Sequence, residues 1–100
     1  MSRQREFLTC TNPATGELIE QVPISTAEEV ACAYDAMRQA APLWASKPVR
    51  ERVRILRKFQ ELVIDSVDTI TETINKDTGK SRQDALIEVM MTADRLHQYY

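Results

Sequence analysis

The sequence predicts a mainly α fold of four helices preceded by an N-terminal β-hairpin. Three observations predict it. Two β-prone runs flank a turn rich in Pro and Gly near the amino terminus, apolar residues after position 25 recur at three- and four-residue spacing, and capping signals divide that helical stretch.

The hairpin is expected over residues 7–22. Phe7-Leu8-Thr9-Cys10-Thr11 and Glu17-Leu18-Ile19-Glu20-Gln21-Val22 read as strands, and Asn12-Pro13-Ala14-Thr15-Gly16 between them favours a reversal of direction. An isolated two-stranded hairpin is marginal in water, so this one is expected to lie on helices or to join a larger sheet.

The first helix is expected over 26–41. Ser25 with Glu28, or Thr26 with Glu29, has the spacing of a capping box, in which side chains satisfy the free N–H groups of the first turn. Val30, Ala33, Tyr34, Met37, Ala40 and Ala41 form its apolar stripe; Pro42 argues for its end and places Trp44 in a connector, as a hydrophobic plug.

Pro48 suits a first helical turn, and Val49, Val53, Leu56, Phe59 or Gln60, and Val63 repeat as one face of a second helix over 48–64. Its other faces carry Arg50, Arg52, Arg54, Arg57 and Lys58 interleaved with Glu51, Glu61 and Asp65, which reads as a solvated or interface-paired surface. A third helix over 67–78 starts near Ser66 or Asp68 and stops at Gly79, a residue free to take the left-handed conformation that closes a helix.

Ser81 with Asp84 opens the fourth helix, expected over 82–100. Its apolar residues, Ala85, Leu86, Ile87, Val89, Met90, Met91, Ala93, Leu96, Tyr99 and Tyr100, are too many for one narrow stripe, so it needs burial on several sides. That excess, and a last residue in apolar phase, predict a fragment of a larger protein that does not pack well as a lone monomer.

Composition narrows the function classes. Thirteen Lys and Arg against fifteen Asp and Glu leave a net charge of -2, too balanced to predict nucleic acid or an anionic membrane as partner. No apolar run reaches the roughly 20 residues that cross a bilayer, and the first residues lead into no signal-peptide core, so a cytoplasmic address is expected.

Gly79-Lys80-Ser81 ends as a phosphate-binding loop ends, yet Ile74 stands where that loop needs its first glycine. The three residues read as a helix stop followed by a helix start. Gly16 and Gly79 are the only glycines, which leaves no Gly-x-Gly-x-x-Gly turn for a dinucleotide. Cys10 and Cys32 are too few and too irregular for a disulfide framework or a zinc site, and neither has a neighbouring group that would activate a thiol. His97, the single histidine, lies on a helix face without a partner nucleophile.

The order Asn12-Pro13-Ala14-Thr15-Gly16-Glu17, Trp44-Ala45, Pro48-Val49-Arg50-Glu51-Arg52, Asp77-Thr78-Gly79-Lys80, Glu88-Val89, Tyr99-Tyr100 resembles the amino-terminal fifth of the aldehyde dehydrogenase superfamily. The resemblance implies a fragment of the α/β, Rossmann-like cofactor-binding domain of such an enzyme. The complete enzyme would oxidise an aldehyde to a carboxylic acid with NAD or NADP, through a thioester on a cysteine, and would be a homo-oligomer. The family's nucleophile, oxyanion-stabilising asparagine, general-base glutamate and cofactor-binding residues all match sequence after position 100. Residues 1–100 alone are therefore expected to bind no nicotinamide cofactor and to be inactive.

Two family features do fall within the chain. A monovalent cation, Na or K, would sit between the backbone carbonyls of Cys10 or Thr11 and the carboxylate of Asp77, for which hard oxygen donors and the carbonyl end of the third helix are suited. Asp77 is equally suited to a hydrogen bond at the helix end. The aldehyde tunnel would be lined by Glu88 and Thr92, whose polarity hints at a polar or small substrate; Glu88 is equally placed to pair with Arg95 or near Asp84. A reading from another class, a free-standing helical protein-interaction module, would make the apolar fourth helix a partner-binding face.

Overall fold

The structure, a computed structural model, describes residues 4–98. It is mainly helical with one two-stranded antiparallel hairpin: β1 (Phe7–Thr11), β2 (Leu18–Pro23), α1 (Ala27–Ser46), α2 (Val49–Asp65), α3 (Val67–Thr78) and α4 (Arg82–His97). Tyr99 and Tyr100, expected at the end of the fourth helix, lie outside the described residues.

In the hairpin Phe7 faces Pro23, Leu8 faces Val22, Thr9 faces Gln21 and Cys10 faces Glu20, after which Thr11 faces Leu18. The register skips Ile19, so β2 bulges opposite the Cys10–Thr11 step and the ladder is interrupted there. The reversal is built on Asn12. Its Oδ1 accepts from the Ala14 N–H at 2.9 Å, and its own N–H donates to the Glu17 carbonyl at 2.8 Å. Gly16, at φ 75°, takes the left-handed turn position that a residue with a Cβ avoids.

Of the two capping boxes available to α1, Thr26 with Glu29 forms. The Glu29 N–H donates to Thr26 Oγ1 at 3.2 Å, and the Thr26 N–H donates to Glu29 Oε2 at 2.9 Å. The helix does not end at Pro42. It runs through that residue to Ser46 and carries Trp44, which is thus helical and partly exposed instead of a plug in a connector. Proline removes one hydrogen bond, to the Arg38 carbonyl, but Leu43, Trp44 and Ala45 hold no further breaker. The last turn is closed by Lys47 N–H to Trp44 O at 3.1 Å and by Ser46 Oγ to Leu43 O at 2.8 Å.

Helices α2, α3 and α4 pack on one another, with α4 contacting both of the others. Ala85, Val89 and Ala93, four residues apart, are the buried stripe of α4, and Thr71 of α3 is buried with them. Small side chains at that seam let the backbones approach closely. On α2 Val53, Leu56, Gln60 and Val63 are half-buried, so of the two alternatives it is Gln60 that turns inward, while Phe59 is exposed. Gln60 Nε2 donates to the Ala93 carbonyl at 2.8 Å, which provides a polar partner for a part-buried amide.

Helix α1 contributes no buried residue and makes at most marginal contact with other elements. The result is a slab of 48 × 47 × 16 Å with a radius of gyration of 17.9 Å. A compact chain of this length has a radius near ~13 Å. Leu86, Ile87, Met90 and Met91 of α4 stay exposed, so the apolar excess of that helix is not covered within the described residues.

Candidate functional site

The candidate site is built where α3 ends and α4 begins. Gly79, at φ 74°, is the left-handed cap of α3, and its N–H donates to the Asn75 carbonyl at 3.0 Å. Two residues on, Ser81 caps α4, with Oγ accepting from the Asp84 N–H at 3.1 Å. Gly79, Lys80 and Ser81 are thus occupied as caps. Lys80 itself is held on both sides: its carbonyl accepts from Asn75 Nδ2 at 2.6 Å and its N–H donates to Thr78 Oγ1 at 3.2 Å.

This clamp aims the Lys80 ammonium at α4, where it forms an ion pair with Glu88 Oε1. Glu88 therefore pairs with a residue eight positions earlier, across the helix break, and not with Arg95 or at Asp84. One turn further, Thr92 Oγ1 donates to the Glu88 carbonyl at 2.9 Å. Its proton is committed to the helix backbone, which leaves the hydroxyl only acceptor capacity toward a ligand. Glu88 and Thr92 come together in one cleft of about 180 Å³, with Val63, Ile70, Ile74 and Val89 as its apolar wall. Two polar groups over an apolar floor is a composition common among small-molecule sites.

The residues considered for a cation lie at the hairpin turn and the end of α3. Pro13 and Gly79 bring those two places into contact, since a Cβ added at Gly79 would stand 3.2 Å from Pro13 Cγ. Cys10 is half-buried and Thr11 exposed at the bulge, and a bulge is where strand backbone groups lose their ladder partners. The Asp77 carboxylate is exposed and enters no ion pair with another described residue. Backbone carbonyls and one carboxylate are hard oxygen donors that fit an alkali cation; among the described residues no three His, Cys, Asp or Glu side chains cluster as a site for a softer metal.

On the outer side of α3, Glu72 pairs with Lys76 at 2.8 Å, one helical turn apart. The hydrogen bond and charge of Lys76 hold the Glu72 carboxyl below its ordinary value, with a smaller contribution from Arg82. Along α2 a broad groove of about 1000 Å³ is lined by Arg50, Arg54, Arg57 and Lys58 together with Glu51 and Glu61. Its mixed charge matches the interleaving in sequence. Cys10 and Cys32 are both free thiols.

The family resemblance singled out Glu88 and Thr92, and nothing in the sequence pointed to Lys80 as a partner of Glu88. A contact across a helix break has no periodic signature, because it depends on the angle between two helices.

The sequence pattern of the aldehyde dehydrogenase family matches residues 1–100. The chain is similar to malonate-semialdehyde dehydrogenase of Bacillus pumilus (strain SAFR-032), 42% identical over 78 residues that make up 78% of this chain and 16% of that protein. It is also similar to the acylating, mitochondrial methylmalonate-semialdehyde dehydrogenase of Arabidopsis thaliana, 38% identical over 84 residues, 84% of this chain and 14% of that one. Among solved structures, aldehyde dehydrogenase 21 from Physcomitrella patens, in complex with its reaction product succinate, superposes with a TM-score of 0.88 at 30% identity, over 97% of this chain and 20% of its own. NADP-dependent glyceraldehyde-3-phosphate dehydrogenase from Bacillus halodurans C-125, complexed with NADP, gives 0.85 at 30% identity over 89% and 19%. The chain thus spans 14% and 16% of the lengths of these two curated relatives.

Proposed function

The chain belongs to the aldehyde dehydrogenase family, and from that premise we propose that it forms the amino-terminal segment of the cofactor-binding domain of an NAD(P)-dependent enzyme. That enzyme oxidises an aldehyde to a carboxylic acid through a thioester on a cysteine supplied by chain outside these hundred residues. The observation that supports this is the superposition of 97% and 89% of the chain on two solved dehydrogenases at 30% identity. Residues 1–100 contribute scaffold and one wall of the substrate path, and are inactive alone. The complete enzyme is a cytoplasmic homo-oligomer.

The substrate is an aldehyde that also bears a carboxylate. The relatives named above act on malonate and methylmalonate semialdehydes, and succinate is the product bound to the moss enzyme. Within this chain, Glu88 and Thr92 line the tunnel entrance. An isolated carboxylate there would repel such a substrate; the Lys80 ammonium on Glu88 offsets that charge. Na or K bound by the carbonyls of Cys10 and Thr11 and by Asp77 would tie the hairpin turn to the end of α3. Support for it is the Pro13–Gly79 contact and the interrupted ladder at Cys10 and Thr11.

An absorbance assay for NAD(P)H tests the reading. The complete enzyme carrying this segment is expected to turn over malonate semialdehyde faster than an unsubstituted alkyl aldehyde, and the 100-residue chain is expected to give no aldehyde-dependent signal. Turnover by the purified 100-residue chain would refute the assignment of the chemistry to sequence beyond it.

A further inference from the structure

The inward face of α2 carries one amide among aliphatic side chains. Val53, Leu56 and Val63 are half-buried beside Gln60, whose Nε2 donates to the Ala93 carbonyl of α4 at 2.8 Å. An aliphatic residue at position 60 would continue the stripe, so burial alone gives no reason for an amide. Nor does Ala93 require one, since it lies within α4, whose own ladder supplies partners for interior carbonyls. What the bond adds is direction.

Direction matters because the seam it crosses is smooth. The buried residues of α4 are Ala85, Val89 and Ala93, side chains too short to form the deep ridges that lock one helix into the grooves of another. Apolar attraction across such a seam scales with area and is nearly indifferent to a small rotation or slide. A hydrogen bond is not indifferent: it weakens steeply once bent or stretched. Polar contacts hold α4 at two heights, Lys80 on Glu88 from the α3 side and Gln60 on Ala93 from the α2 side. The first is an ion pair about half-exposed at both ends, hence weak, and the second is part-buried, hence the firmer tether. The cleft walled by Glu88 and Thr92 lies beside this tether: Val63, one turn beyond Gln60, lines it from α2, and Thr92 directly precedes Ala93.

We propose that Gln60 is a positioning residue, whose amide sets the rotation of α4 against α2 and thereby the place of Glu88 and Thr92 on the wall of the cleft. That the cleft belongs to a substrate path rests on the family reading above. Side-chain tips lie about 5–6 Å from a helix axis, so a turn of about 20° carries the Thr92 hydroxyl about 2 Å. A misplacement of about 1 Å is enough to change a rate by as much as about 100-fold.

The test compares the complete enzyme carrying this segment with its Gln60→Met variant, which keeps side-chain length and helix propensity and lacks the donor. Crystal structures of the two are expected to show Thr92 displaced by about 1 Å or more relative to α2 and α3. KM for malonate semialdehyde is expected to rise about threefold or more with kcat within about twofold, while KM for propanal changes less. The melting temperature is expected to move by less than about 3 °C, because one neutral hydrogen bond is a small part of the stability of such an enzyme. Phe59→Met, at the exposed neighbouring position, is expected to change none of these. An α4 that stays in place in Gln60→Met overturns the proposal. So does a loss shared equally by both aldehydes alongside a collapsed melting temperature, which is what a merely structural residue gives. Glu88→Val keeps the two readings apart. If α4 moves in Gln60→Met but neither variant alters the ratio of the two kcat/KM values, the cleft leaves the substrate path and Gln60 keeps its hold on α4. If Glu88→Val alters that ratio and Gln60→Met does not, the cleft stays and the role of Gln60 falls.

Discussion

Pro13 and Gly79 are in contact across 66 positions of sequence: a Cβ added at Gly79 would lie 3.2 Å from Pro13 Cγ, and Gly79 itself sits at φ 74°. The turn of the hairpin thus rests on the left-handed cap of α3. Both backbone conformation and space disfavour a side chain at this glycine.

Gly79→Ala is therefore expected to destabilise the chain more than Gly16→Ala. Both residues have positive φ, costing about 1–2 kcal/mol each for a residue with a Cβ, but Gly16 has nothing within 4 Å of an added Cβ. Urea unfolding followed by circular dichroism reads the difference. Adding Pro13→Ala to Gly79→Ala should recover part of the loss; equal costs at the two glycines would show that the contact carries no energy.

The capping box of α1 predicts that Thr26→Ala costs about 1 kcal/mol and speeds amide exchange in the first turn. Arg5, whose ion pair with Glu29 at 3.4 Å is about half-exposed at both ends, should matter less. If Arg5→Ala raised exchange as much as Thr26→Ala, the ion pair and not the cap would hold this end.

Thr71 is 3% exposed and its hydroxyl has no hydrogen-bond partner among the described residues. Thr71→Val keeps the shape and removes the unsatisfied group, so it is expected to stabilise the helical bundle by about 1 kcal/mol. Ala85→Leu at the adjacent seam, where exposure is 0%, should do the opposite by about 1–3 kcal/mol through overpacking. A destabilising Thr71→Val would mean that the hydroxyl has a partner in solution.

Glu72 carries a pH dependence of known sign. Its folded pKa lies below the ordinary 4.5, so the folded state favours the carboxylate; its contribution is complete above that value and is lost as pH falls through the lowered one. Carboxyl NMR titration should show Glu72 ionising below the ordinary glutamate range, and Lys76→Met should move it upward. No movement in that variant would assign the shift to another group.

In the complete enzyme, Glu88→Val leaves the Lys80 ammonium without its carboxylate partner and is expected to raise kcat/KM for carboxylate-bearing aldehydes relative to neutral ones, and Lys80→Met is expected to lower it. The pair of variants separates the two charges of the ion pair. An unchanged ranking of substrates in both would remove this wall from substrate selection. Independently, Na or K should raise thermal stability less in Asp77→Ala than in the parent.

Whatever is decided within three or four residues was legible in the chain. Gly79 as helix stop, Ser81 and Thr26 as caps, the Asn12 turn and the stripe of α2 follow from local backbone and side-chain energies, and the ordered motifs carried the family. Tertiary structure alone decided which apolar surfaces are covered: Gln60 turns inward and Phe59 outward, α4 buries Ala85, Val89 and Ala93, and the stripe of α1 stays bare. It also joined Lys80 to Glu88, whereas the passage of α1 through Pro42 is local and was misread in the sequence. Burial and cross-helix pairing depend on the angles and distances between elements, and spacing along one helix holds no record of what lies opposite it.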